Sequence, residues 1–170
     1  ALKYKNDRAA VDRLNALRDK IARDPRYYKT IATLSGHSGE VVSLQDSPDA
    51  TKLLSGSLDA TLRVWNVNST DSPPDSMTAH RNGVTAVGFS RSGADIATGG
   101  ADGFAKVWRI SSTGKITEKR SLKVDSNLVR HVAFTSDDRS LLAVTAEGKI
   151  FKWALLSWNL IDTADLGGER

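Results

Sequence analysis

From Asp7 to Asp24 the chain reads DRAAVDRLNALRDKIARD, with Val11, Leu14, Leu17 and Ile21 at helical spacing and charged residues between them. That periodicity, uninterrupted by glycine or proline, predicts one amphipathic α-helix. Pro25 ends it, because the residue before a proline is pushed out of the helical region. Beyond Pro25 the pattern changes to short runs rich in Val, Leu, Ile, Thr and Trp, such as YYKTIATL, EVVSL, KLLSGS and TLRVWNV, separated by Gly, Asp, Ser and Pro. Such runs predict β-strands joined by tight turns, with no further window of helical periodicity.

Spacing sharpens this reading. Trp65, Trp108 and Trp153 lie 43 and 45 residues apart, and His37 and His80 lie 43 apart. Each histidine precedes an aspartate, Asp59 or Asp102, by 22 residues, and each aspartate precedes its tryptophan by six. A three-point ruler used twice marks an internal repeat, whose unit is one piece of supersecondary structure.

Three segments carry the repeat: SGHSGEVVSLQDSPDATKLLSGSLDATLRVWNV (35–67), TAHRNGVTAVGFSRSGADIATGGADGFAKVWRI (78–110) and the more divergent SNLVRHVAFTSDDRSLLAVTAEGKIFKWAL (126–155). In period and in the placement of their Gly-His and Trp marks they resemble the WD-repeat family. The Trp-Asp pair itself is not spelled out, since Asn66, Arg109 and Ala154 follow the three tryptophans. The resemblance implies an all-β fold, a WD-repeat β-propeller of about three blades in an incomplete ring, preceded by the amphipathic helix. The expected division is helix 1–26, propeller blades 27–166 and tail 167–170. Three blades are too few to close a ring. The chain is therefore expected to be part of a longer propeller, or to complete its ring with a second copy or a partner subunit.

The resemblance also implies a hydrogen-bonded set in each blade: His37, Ser55, Asp59 and Trp65 in the first, His80, Thr98, Asp102 and Trp108 in the second. The third blade offers Asp125, Ala143, Glu147 and Trp153 at these positions and cannot build the same set. Apolar packing of Val132, Phe134, Leu141, Leu142, Val144 and Phe151 is expected to hold it instead. Partners of such propellers commonly bind the rim formed by loops before each first strand, which by position implicates Glu40, Arg81, Asn82, Arg130 and His131.

Composition narrows the chemistry. The 170 residues include no cysteine and three histidines, which excludes disulfides and thiolate metal sites and fits a reducing, intracellular compartment, cytoplasmic or nuclear. No apolar run is long enough to span a membrane, and no membrane partner is expected. The start at Ala1 rather than methionine raises the expectation that upstream sequence is missing. No Gly-x-Ser-x-Gly elbow, P-loop or dinucleotide fingerprint is present, so no catalysis, metal or cofactor is expected.

The net charge of +4 resides in residues 1–30, which hold nine Lys or Arg against four Asp; the rest is nearly neutral. The helix accordingly has three open readings: its apolar face (Val11, Leu14, Leu17, Ile21) docks within the chain, that face meets a partner, or its basic face contacts RNA or an anionic surface. The expected function is a non-enzymatic scaffold or adaptor binding protein partners in a multiprotein complex. The alternatives are an RNA-associated ribonucleoprotein subunit, with RNA on the basic N-terminal segment, or a G-protein β-like subunit pairing its helix with a partner.

Overall fold

The computed structural model describes residues 33–69, 72–111, 115–124 and 128–166. The predicted helix with its Val11, Leu14, Leu17 and Ile21 face, and the tail 167–170, lie outside the described residues. The chain divides into Ala1–Thr33 and Leu34–Arg170, and every described strand belongs to the second unit. The first sheet holds β1 (Val41–Asp46), β2 (Lys52–Ser57), β3 (Thr61–Asn66) and β4 (Asp75–Thr78). The second holds β5 (Val84–Phe89), β6 (Asp95–Gly100), β7 (Phe104–Ile110) and β8 (Ile116–Lys123), and the third β9 (Val129–Phe134), β10 (Ser140–Thr145), β11 (Lys149–Ala154) and β12 (Leu160–Asp165). In each sheet the strands pair antiparallel in sequence order. Among the described residues the outcome is all-β: three four-stranded blades in an unclosed ring.

The inner strands carry apolar or small residues on both parities because both sheet faces are covered. In β6, Ile96 to Gly100 are buried without interruption. Ile96 and Trp108 join Leu54, Leu62 and Val64 of the first blade in one cluster with Val84, Val87 and Phe89. On the opposite face Ala86, Ala97, Ala105 and Val107 join Val129, Val132, Leu141, Ala143 and Trp153 of the third blade. The core is thus two slabs between blades. In the third blade Phe151 stacks on Trp153, with ring centroids 5.8 Å apart.

Two glycines set how closely the blades approach. A Cβ on Gly56 would lie 2.7 Å from Val84 Cγ1 and 2.9 Å from Val87 Cγ1. A Cβ on Gly99 would lie 2.6 Å from Val129 Cγ1. Strand-interior glycine costs backbone entropy, and here it admits the neighbouring blade's side chains. Along the axis the first strands are cross-tied: Val87 and Phe89 N–H donate to Ser43 Oγ (3.1 Å) and Gln45 Oε1 (2.8 Å), and the Thr85 hydroxyl donates to the Val129 carbonyl.

The turns repeat as faithfully as the strands. Between second and third strands, Ala60, Gly103 and Gly148 occupy the same left-handed position, with φ of 73°, 79° and 86°. Only the first blade places a side chain there.

Two stability changes are expected, each read from a urea midpoint. Gly99→Ala overpacks the slab between the second and third blades and costs about 1–3 kcal/mol. Ala60→Gly relieves a left-handed conformation worth roughly 1–2 kcal/mol but adds unfolded-state entropy of about 0.4–1 kcal/mol, for a net gain between about zero and about 1.6 kcal/mol. An unchanged midpoint for the first, or a lowered one for the second, contradicts this reading of the backbone.

Candidate functional site

In the second blade a chain of hydrogen bonds runs from the core to the surface. Trp108 Nε1 donates to Thr98 Oγ1 (2.9 Å), Thr98 Oγ1 meets His80 Nε2 (2.8 Å), and His80 Nδ1 meets Asp102 Oδ1 (2.9 Å). The directions are mutually consistent for a neutral imidazole: the indole can only donate, so Thr98 passes its own proton to Nε2 and Nδ1–H donates to the carboxylate. Burial pushes the His80 pKa below the ordinary value, overriding the opposite pull of Asp102. Partial burial raises Asp102, but the Arg81 N–H and His80 bonds outweigh it and hold the carboxyl below its ordinary value. The Arg81 N–H bond, 3.1 Å long, pins the loop before β5 to the turn after β6.

The first blade repeats the set. His37 meets Asp59 Oδ2 at 2.9 Å and Ser55 Oγ at 2.7 Å, and Trp65 Nε1 donates to Ser55 at 2.8 Å. Asp59 also accepts from Ser38 N–H (2.9 Å) and from the Thr61 hydroxyl (2.6 Å). Burial alone would raise this carboxyl; the bonds from Thr61, His37 and Ser38 bring it well below the usual range. Thr61 was not singled out by the repeat spacing, although its place two residues after an aspartate is a common turn signal. In the third blade Ala143 and Trp153 are buried, Glu147 is exposed, and Asp125 lies outside the described residues.

The residues expected at the partner rim are dispersed. Glu40, Arg81, Asn82, Arg130 and His131 are all exposed. Arg81 and Asn82 line one groove of about 490 Å³ together with Asp102, Phe104, Lys106 and Ser121. Arg130 and His131, expected in a loop, instead lie within β9, where His131 pairs with Val144. The missing histidine and hydroxyl left no marker for the start of this strand. His131 lines a different cavity of about 370 Å³ with Ser43, Gln45 and Phe134 along the first strands. Phe104, Lys106 and Ser121 were not anticipated, because strand pairing between β7 and β8 is what brings Lys106 opposite Ser121. Among the described residues no cluster of three His, Asp or Glu could hold a metal, and no helix is long and apolar enough to cross a membrane.

The network predicts an acid-side loss of stability in two steps. His80 resists protonation when folded, so the unfolded chain binds more protons as pH falls below the ordinary histidine value of 6.5. Stability therefore falls as pH drops through that range, and His80→Gln removes this contribution. Asp59 and Asp102 stabilise the fold above the ordinary aspartate value of 3.8 and lose that contribution below it. Urea midpoints across about pH 3 to 8 measure both; a flat wild-type profile from about pH 7 to pH 5 would place a charged His80 in the folded state.

Comparison with known proteins agrees with this geometry. Residues 28–66 and 71–109 match the family model described as WD domain, G-beta repeat. A 46-residue stretch is 48% identical to Protein HIRA of Zea mays, spanning 27% of this chain and 5% of that protein. A 44-residue stretch is 46% identical to Protein HIRA of Oryza sativa subsp. japonica, spanning 26% of this chain and 4% of that protein. Among solved structures, that of U3-55K superposes with a TM-score of 0.71 at 17% identity, over 79% of this chain and 42% of the other. The RRP9 WD40 repeats give the same score and identity over 79% of this chain and 41% of theirs. The chain spans less than half of each. Two stretches that match the WD repeat in sequence and three four-stranded blades among the described residues show WD repeats at these two positions within a partial β-propeller fold.

Proposed function

We propose that the chain is a non-enzymatic scaffold that binds protein partners within an intracellular multiprotein complex. WD-repeat proteins generally mediate protein–protein interactions in complexes. The observation that carries the reading for this chain is the groove on the second blade. Arg81, Asn82, Lys106 and Ser121 offer hydrogen-bond donors around Phe104, a mixture suited to an extended peptide or loop. Its floor is firm, because Asp102 is bonded to His80 and to the N–H groups of Arg81 and Phe104. The histidines of both networks are engaged in holding turns, which favours a binding role over an acid–base one. Glu40, Arg130 and His131 are further exposed contact candidates, and the helix face Val11, Leu14, Leu17 and Ile21 is a separate one.

Cross-linking and affinity capture from the native source, with Arg81→Ala combined with Lys106→Ala, tests this. A defined set of proteins bound by the wild type is expected to fall at least about ten-fold with the double variant, the cost of removing hot-spot cations, while circular dichroism is unchanged. An identical set with both chains would remove the groove from the reading. The basic residues 1–30 favour RNA contact as a second reading. Binding of a single-stranded RNA probe across a salt series separates the two: phosphate contacts give a steep log–log loss of affinity, and no binding at low salt discards that reading.

A further inference from the structure

The three repeats place different side chains at equivalent positions around the groove of the second blade. Arg81 follows His80 as Ser38 follows His37, and both backbone N–H groups donate to the aspartate of their blade, at 3.1 and 2.9 Å. Lys106 lies between Thr98 and Ser121 as Arg63 lies between Ser55 and Ser76, and Phe104 opens β7 as Thr61 opens β3. In the first blade these side chains are engaged at home: Arg63 Nη2 donates to the Gly36 carbonyl (2.8 Å) and the Thr61 hydroxyl to Asp59 (2.6 Å). In the third, Phe151 stands at the lysine position and stacks on Trp153, while Lys149, in the place of Phe104, pairs with Glu147 at 3.6 Å. Among the described residues, the second blade is the one that sets a half-buried phenylalanine beside two cations.

The charges in that groove do not cancel. Lys106 Nζ lies 3.4 Å from Glu118 and 5.4 Å from the centre of the Trp108 ring, so its charge is largely answered within the blade. Asp102 accepts from His80 and from the N–H groups of Arg81 and Phe104, which leaves its carboxylate little to offer a ligand. The Arg81 guanidinium is exposed, and among the described residues it has no side-chain or backbone acceptor; nor do the Asn82 amide and the Ser121 hydroxyl have partners. What remains is one guanidinium flanked by neutral donors and an aromatic face. A carboxylate matches it, with one charge and two oxygens for the guanidinium fork. A phosphate ester, carrying nearly two charges, would bring the second against Glu118 and Asp102.

We propose that this groove selects an acidic peptide, an extended segment in which an Asp or Glu carboxylate engages Arg81 and an apolar side chain two residues away lies on Phe104. Side chains two apart share a face of an extended segment, so both contacts form from one strand. The inference rests on the reading of the groove as a protein-binding site and adds the class of segment that it takes.

Selection of a phage-displayed random peptide library on the whole chain, followed by fluorescence anisotropy with synthetic copies of the selected peptides, tests it. The selected sequences are expected to carry Asp or Glu with an apolar residue two positions away. Asparagine in place of the acid is expected to weaken binding at least about five-fold, and phosphoserine there to bind no tighter than the acid. Added salt weakens the acidic peptide and leaves its amide counterpart unchanged. Arg81→Gln, at an exposed side chain whose backbone bond to Asp102 is kept, erases the preference for acid over amide, and circular dichroism establishes that the variant is folded. Peptides that are lost with Arg81→Ala combined with Lys106→Ala, yet do not distinguish acid from amide, overturn the acidic class and leave the groove standing. Tighter binding of the phosphoserine peptide overturns the carboxylate assignment. A selection that yields no peptide sensitive to the double variant removes the groove itself, and this inference with it.

Discussion

How closely one sheet can approach the next governs the rest of this structure. A blade buries both faces only if the side chains of its neighbour find space between its own strands, since packed sheets stand about 10 Å apart and fill the gap to crystal-like density. Here the space is made by omitting a side chain. Gly56 and Gly99 receive paired valines, and the alanines at 86, 97 and 105 thin the same face of the second blade. The two-sided burial of β6 and β7, and the enclosure of Trp108, follow from that closeness.

The polar networks sit within this frame. A histidine at 80 could be buried only with both ring nitrogens partnered, because an unpaired polar group in such a slab costs more than its packing returns. Asp102 and Thr98 provide those partners, and Asp102 extends the order outward by holding the Arg81 backbone. The same arrangement joins His37, Ser55 and Asp59 to Ser38. Loop residues near the surface are thus positioned by groups whose other ends lie in the core. This coupling gives a rigid platform on which short loops can differ between repeats without disturbing the blades.

The strands and the repeat were legible in the sequence because each depends on local pattern: β-rich runs, turn residues, and spacings of 22 and six residues that survive in two repeats. The bonded partners of His37 and His80 came from the resemblance to the WD-repeat family, carried onto that register. Where the register weakens, reading fails. Arg130 and His131 fall inside β9 rather than before it, and the sequence did not mark this because Asp125 and Ala143 replace the histidine and hydroxyl that anchor the pattern elsewhere. The groove was only half visible, because Arg81 and Asn82 directly follow the histidine of the repeat ruler while Lys106 and Ser121 meet through a pairing that depends on the outer strand. The glycines were in plain view, but their meaning depends on side chains in the following repeat. That is a tertiary fact, invisible to any local window.

The third blade lacks the histidine network, yet its attachment has a mechanical consequence. The Thr85 hydroxyl ties it to the second blade at the inner strand, Asp138 accepts the N–H groups of Arg91 (2.8 Å) and Ser92 (3.0 Å) at the turns, and Lys119 lies over the Trp158 ring at 5.7 Å near the outer strand. The three ties are spread from the inner strand to the outer one, so the junction is held across its width. Torque applied at the outer edge of one blade is passed to its neighbour, so the pair responds to a load as one lever.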